Sequence, residues 1–171
     1  MTGASPAISF HDVSKSYGAA PPVLDHVSLA VAAREFLAVV DAASFGASRS
    51  FLIESLFRRA PRLAFVTENL TGFALARPGR IATQIGPVVA ADEAAAAALL
   101  GAALGAALGA ALGAASGPVF LDLADRWDGL TRHLQTRGFT VQRPYARMAL
   151  SRQDPLGNPA RLFVVAGPEF G

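Results

Sequence analysis

Residues 72–90, GFALARPGRIATQIGPVVA, most constrain how this chain can fold. Two apolar-alternating runs meet there at a Pro-Gly corner, and the second leads directly into an alanine-rich helix. Pro78 presets φ for the first corner position of a turn and Gly79 tolerates the positive φ of the second, so 81–89 should fold back antiparallel on 73–77. An earlier run, 62–68, is closed by Asn69-Leu70-Thr71-Gly72 and supplies a third strand. The C-terminal end of the last strand, followed at once by a helix start, is where a layered α/β fold offers backbone N–H groups to a phosphate-bearing ligand.

With 171 residues, 52% of them hydrophobic and 16% charged, the chain suits one domain with a real core plus a smaller segment. The net charge is only +2, and the basic residues are scattered arginines with a single lysine, Lys15. Arg132, Arg137, Arg143 and Arg147 come closest to a cluster, but the residues between them make a solvated rim rather than a nucleic-acid patch. Disulfides and thiolate metal sites are excluded because there is no cysteine. His11, His26 and His133 are isolated, without metal-ligand spacing, so no metal is expected. The opening MTGASPAISFHD lacks a basic and apolar leader pattern, which makes a cytoplasmic location the expectation.

Residues 7–40 read as short strands, AISFHDV and VLDHVSLAV, broken by 17–22 and followed by an apolar strand at 35–40. The phrases ISFHDVSKSYG, PPVLDHVSLAV and REFLAVV resemble the opening strands of ABC transporter ATPase subunits, which run into a phosphate-binding loop. A working loop needs GxxxxGK[ST], whose glycines admit phosphate to the backbone and whose lysine reaches the β/γ oxygens. Here Asp41 stands for the first glycine and Ala47 for the lysine, so triphosphate is disfavoured although Gly46 and Ser48 are in register.

Further along, 45–61 reads as a helix with Phe51, Leu52, Ser55, Leu56 and Arg59 on one face. After the three-strand meander, Asp92 is a candidate N-cap of the next helix, and Asp92 and Glu93 favour its dipole. Residues 94–121 carry no charge, and Leu100, Leu104, Leu108 and Leu112 alternate with Gly101, Gly105, Gly109 and Gly113 in a four-residue repeat. Such GxxxG spacing packs membrane helices, but many alanines weaken the hydrophobicity, so one overlong helix lying close on a sheet is the reading favoured over a span. Exposed, that surface would drive self-association. A four-residue step turns about 400°, so each stripe drifts by roughly 40° per repeat. Then come a strand at 118–123, an amphipathic helix at 127–137 with Leu130 and Leu134 four apart and Trp127 as an anchor, and strands at 139–150 and 161–165.

From the meander onward the order is β-β-β-α-β-α-β-β, an α/β fold with a mixed, mostly antiparallel sheet flanked by helices. That order resembles the GNAT acyltransferase superfamily. RAPRLAFVTE, GFALARPGR, ATQIGPVVA, GPVFLDL, TRGFTVQRPYARMAL and AGPEFG are similar to the C-terminal domain of tandem-GNAT acetyltransferases. The resemblance covers 41–171 and gives a division into a 1–40 segment and a 41–171 domain, with the GAAL repeat as an insertion. Two resemblances on one chain also raise a recombined, chimeric ancestry.

The resemblance implies acetyl transfer from acetyl-CoA to a small-molecule amine. Pantetheine would lie between the splayed fourth and fifth strands, along Val88, Val89 and Ala90. The pyrophosphate loop corresponds to Ala90-Ala91-Asp92-Glu93-Ala94, which has no glycine or arginine and sets carboxylates where phosphate charge would sit. Leu134 stands where many members carry a general-acid tyrosine, leaving Tyr145 as the nearest phenol. Glu68, Asp122 and His133 are the candidate bases, with Asp122 at the end of a buried strand beside the expected cleft. Tyr145 and Asp122 each have a plain structural alternative, as a packed strand aromatic and as a turn cap. The other reading is a noncatalytic GNAT-like domain that completes a substrate pocket or a homodimer, or serves a second GNAT domain. An ABC ATPase fragment is disfavoured by the altered loop.

Overall fold

The computed structural model describes residues 8–16, 18, 21, 24–111, 117–148, 150–151, 154 and 156–170. Strands β1 (Ile8–Lys15) and β2 (Leu24–Val31) form an antiparallel two-stranded sheet of their own, matching the two expected N-terminal strands. Its residues Ile8 and Val31 pack against the main body.

The expected strand at 35–40 is instead part of helix α1 (Ala33–Phe45). A continuous apolar run does not by itself separate a buried strand from a helix. Here the decision lies in Glu35, whose carboxylate accepts from the Ala32 backbone N–H at 3.0 Å and ties off the helix start. Phe36, Leu37, Asp41 and Ser44 then share the buried face. The helix expected over 45–61 is therefore shorter, α2 (Ser50–Arg59), and it buries Leu52, Ile53 and Leu56 while Phe51 points to solvent. Gly46 separates the two helices at φ 89°, and any side chain there would strike the Gly157 backbone.

Pro61 opens a short 3-10 turn, so the first meander strand shrinks to β3 (Ala64–Val66). β4 (Phe73–Pro78) and β5 (Thr83–Val89) form the expected hairpin. Its corner lies two residues later than expected, at Arg80 and Ile81 rather than Pro78 and Gly79, closed by the Gly79 N–H on the Ala82 carbonyl at 2.8 Å. Helix α3 (Glu93–Ala111) crosses over to β6 (Val119–Leu121), which pairs parallel with β5, and α4 (Asp128–Gln135) leads on towards β7 (Leu162–Val164). The expected strand at 139–150 does not form: the described residues 139–148 carry no strand, and Val141, Met148 and Leu150 are exposed. Pro144 has no N–H to give a ladder there. The sheet is mostly antiparallel, in the order β3-β4-β5-β6 with β7 on β5.

Alternation along β4 sends Ala74 and Ala76 to one face and Phe73 and Leu75 to the other. The first face is covered by α3 and α4, the second by α1 and α2. No described helix is long and apolar enough to cross a membrane. The repeat behaves as its drift requires: Leu100 is 1% exposed, Leu104 6% and Leu108 60%, while Ala103 and Ala107 rotate in to take the buried positions. The repeat's last leucine, Leu112, lies outside the described residues.

Gly105 is exposed on α3 and has open space where a Cβ would be. Gly105→Ala should therefore stabilise the fold by up to about 1 kcal/mol, read from the urea midpoint, since alanine restricts the unfolded chain and fills no occupied volume. A loss of stability would mean that this face of α3 is covered.

Candidate functional site

β6 runs along only the beginning of β5, through the pairs Thr83–Val119, Gln84–Phe120 and Ile85–Leu121. Beyond Ile85 they part, which is the splay that the resemblance implies between the fourth and fifth strands. β7 lies inside this fork. On one side it pairs antiparallel with Val88 and Val89 through Val164 and Leu162. On the other, Ala124 N–H donates to the Phe163 carbonyl at 2.9 Å, Val165 N–H donates to the Asp122 carbonyl at 3.1 Å, and Leu123 bridges to Val164. Gly86 makes the close approach feasible: at φ 148° it passes the Val165 carbonyl, which a side chain would strike. Trp127 anchors the same strand, donating from Nε1 to the Leu162 carbonyl at 3.3 Å and stacking on Phe163 with ring centroids 4.1 Å apart.

Val88, Val89 and Ala90 are fully buried. The Ala90 N–H donates to the Arg161 carbonyl at 3.0 Å. At the start of α3, Asp92 Oδ1 accepts from the Ala95 N–H at 2.8 Å, so the helix terminus is capped by its own carboxylate. Glu93 lies beside it and packs against Gly129. A pantetheine chain needs the β5 edge that β7 holds, and a pyrophosphate at the start of α3 would face the Asp92 and Glu93 carboxylates and find the Ala95 N–H already taken. The residues present therefore do not fit acetyl-CoA in this arrangement.

Asp122 is half-buried at the base of the fork, where β5 and β6 part, and accepts from Gln84 Nε2 at 3.0 Å. Burial raises its pKa above the ordinary aspartate value; the Gln84 bond opposes this, the Glu169 charge adds to it, and the Arg143 and Arg77 charges oppose it. Tyr145 is half exposed and its hydroxyl accepts from Arg143 Nε at 2.6 Å. Arg143 thus stands in relation to both candidates, by hydrogen bond to one and by charge to the other. Glu68 is exposed in the β3–β4 turn and His133 is half-buried on α4. Among the described residues no His, Asp and Glu cluster could hold a metal ion. Two surface hollows, about 230 Å³ between α1 and α2 and about 220 Å³ on the β1–β2 hairpin, are lined by no residue of the fork.

The raised pKa fixes a direction for stability against pH. The folded state holds the Asp122 proton more tightly than the unfolded chain, so this group's contribution is fully present below about pH 4 and is lost as pH rises through the folded value. Asp122→Asn keeps an acceptor for Gln84 and removes that loss. Urea unfolding from pH 4 to 7 should show the variant gaining on the wild type as pH rises, whereas parallel curves would place Asp122 in full contact with water.

Sequence reasoning read Asp41 only as a replaced loop glycine and missed its pairing with Arg49. Arg49 Nε and Nη2 donate to Asp41 Oδ2 and Oδ1 at 2.8 and 3.0 Å, with the side chains 6% and 1% exposed. Arg49 also caps the Phe45 ring, 3.7 Å from its centroid, and Arg147 approaches the same ring at 4.7 Å. Asp41 through Phe45 complete α1, so the first five residues of the stretch matched to a phosphate-binding loop are helix and its acidic residue is spent on a buried ion pair. Spacing of eight residues across a helix break gives no local signal for such a pair.

No curated protein and no solved structure matches the chain. The model of the acetyltransferase (GNAT) domain family matches residues 37–164, a range that takes in both helical layers, the hairpin and all three strands of the fork. The sheet that forks after Ile85, the crossover by α3 and this match agree, and the chain belongs to the GNAT acetyltransferase domain family.

Proposed function

We propose that this chain is a noncatalytic GNAT domain, which completes the pocket of an acetyl-transferring GNAT domain or dimerises with it rather than holding acetyl-CoA itself. The observation that carries this reading is β7 lying in the fork, bonded along both edges. The capped start of α3 supports it, because Asp92 and Glu93 oppose a pyrophosphate where positive or neutral donors would favour one. The partner would be a second GNAT domain or a second copy of this chain, and the small-molecule amine would be the substrate of the assembled pocket.

Calorimetric titration with acetyl-CoA tests the reading. No binding up to millimolar concentration is expected, and micromolar binding would overturn it.

A second reading is favoured by Asp122. A carboxyl with a raised pKa at the base of the fork suits a general base, and it would make the chain itself an acetyltransferase acting on a small amine. Release of free CoA in the presence of an amine panel, abolished in Asp122→Asn, would establish it.

A further inference from the structure

The sheet has an open edge along residues 119–123, whose outer side meets no strand among the described residues. Which groups turn outward follows from the bonds made inward. Thr83 N–H donates to the Pro118 carbonyl, Val165 N–H donates to the Asp122 carbonyl, and Ala124 N–H donates to the Phe163 carbonyl. Backbone groups alternate sides along a strand, so Val119, Leu121 and Leu123 direct their N–H and C=O away from the sheet. Among the described residues no hydrogen bond engages those outward groups.

Residues 140–148 are the reverse case, a chain without an edge to join. They run without a turn or bend, and none of their backbone groups is hydrogen-bonded among the described residues. Val141 and Met148 are 75% and 89% exposed. The Arg143–Tyr145 bond joins side chains two apart, which puts both on one face, as in a strand. Pro144 decides which side of this chain can pair, because its nitrogen carries no hydrogen. The side it shares with Gln142 and Ala146 must face water, and Val141, Arg143, Tyr145 and Arg147 carry the groups that can enter a ladder.

The open edge and the free chain are also complementary in charge. Asp122, Asp125 and Asp128 outweigh Arg126 beside the edge, with Asp125 and Asp128 exposed, whereas residues 129–153 contain five arginines and no acid. We propose that the occupant of the edge is a second copy of this chain: residues 140–148 of one protomer add as a strand to the 119–123 edge of the other, and the exchange is reciprocal about a two-fold axis. One chain carries both halves of the contact, so two copies satisfy each other and close both edges at once. This rests on the reading that the chain works beside a partner, and it names that partner and the surface. It requires nothing of acetyl-CoA.

Sedimentation of the full chain over a concentration series tests the exchange. The mass should rise from one chain towards two between about 1 and 100 µM, and added salt should move the midpoint to higher concentration. Two neighbouring substitutions at exposed positions then read the register. Val141→Pro removes an N–H directed at the other protomer and should weaken association at least about tenfold, whereas Gln142→Pro removes one directed at water and should leave it within about twofold. Amide exchange on the wild type localises the contact without any variant: Leu121 and Leu123 should exchange fast in dilute protein and slow as the dimer forms.

A monomer at the highest concentration overturns the exchange and leaves the edge to a different GNAT domain. Equal effects of the two prolines overturn it as well, and so does a dimer whose Leu121 and Leu123 amides stay fast. Protection independent of concentration would mean that the edge is closed within one chain, which also overturns it. The two proposals fail separately. A monomer that ignores acetyl-CoA sinks the exchange alone, and an exchanged dimer that binds acetyl-CoA sinks the noncatalytic reading alone.

Discussion

Arg49→Ala should lower the unfolding free energy by about 3–5 kcal/mol, because it leaves the Asp41 carboxylate buried without its bidentate partner. Against a typical total of about 5–15 kcal/mol this is the most damaging single change the described ion pairs allow. The loss includes three contacts among the described residues. Asp41 is stranded between α1 and the start of α2, the Phe45 ring loses the guanidinium stacked on it, and the Phe170 carbonyl loses a donor. Urea denaturation measures the sum, and a cost under about 1 kcal/mol would show that water reaches Asp41. The double variant Asp41→Leu/Arg49→Met separates the pair from the packing. Replacing both ions by apolar groups of similar size should recover most of the stability, since neither charge then has to be desolvated.

Phe163→Ala should cost about 3–5 kcal/mol as well, for a different reason. Phe163 is fully buried in the core under α3 and α4, and its ring stacks on Trp127 at an interplanar angle of 24°. Truncation opens a cavity and removes an aromatic pair worth about 0.5–1.5 kcal/mol beyond its area. Trp127 is the only tryptophan, so its fluorescence reports the change directly and should shift to the red as water enters. Phe163→Leu, which keeps most of the volume, should cost under about 1.5 kcal/mol. A small loss for Phe163→Ala, with unchanged tryptophan emission, would mean that β7 is not wedged in the fork.

Legibility in the sequence followed the range of the interactions. The β4–β5 hairpin, α3 and the leucine face of α4 were readable because strand alternation, N-caps and four-residue spacing are local, although the hairpin turns at Arg80 and Ile81 rather than at Pro78 and Gly79. Residues 35–40 were misread because an apolar run reports burial but not conformation, and the deciding contact is one carboxylate on one backbone amide at Ala32. The 139–150 run has strand-like composition, yet a strand exists only where an edge accepts it, and the described part of that run has none. The fork itself could be anticipated at Val88 to Ala90, because resemblance located the splay. Its occupant could not, since β7 sits more than seventy residues further along the chain and any short apolar triplet could have filled the role.

The rotation of leucines out of the core along α3 separates two jobs within one helix. Its first half carries the packing, through Ala96, Leu99, Leu100, Ala103 and Leu104, while the turn around Leu108 and Gly109 is wet. Gain or loss of one GAAL unit at that outer end changes the helix by about 6 Å and turns its exit by about 40°. Among the residues of α3 whose burial is described, only Ala107 is buried beyond Leu104, so such a change leaves the packed half of the helix in place and acts chiefly on the direction in which the chain leaves it.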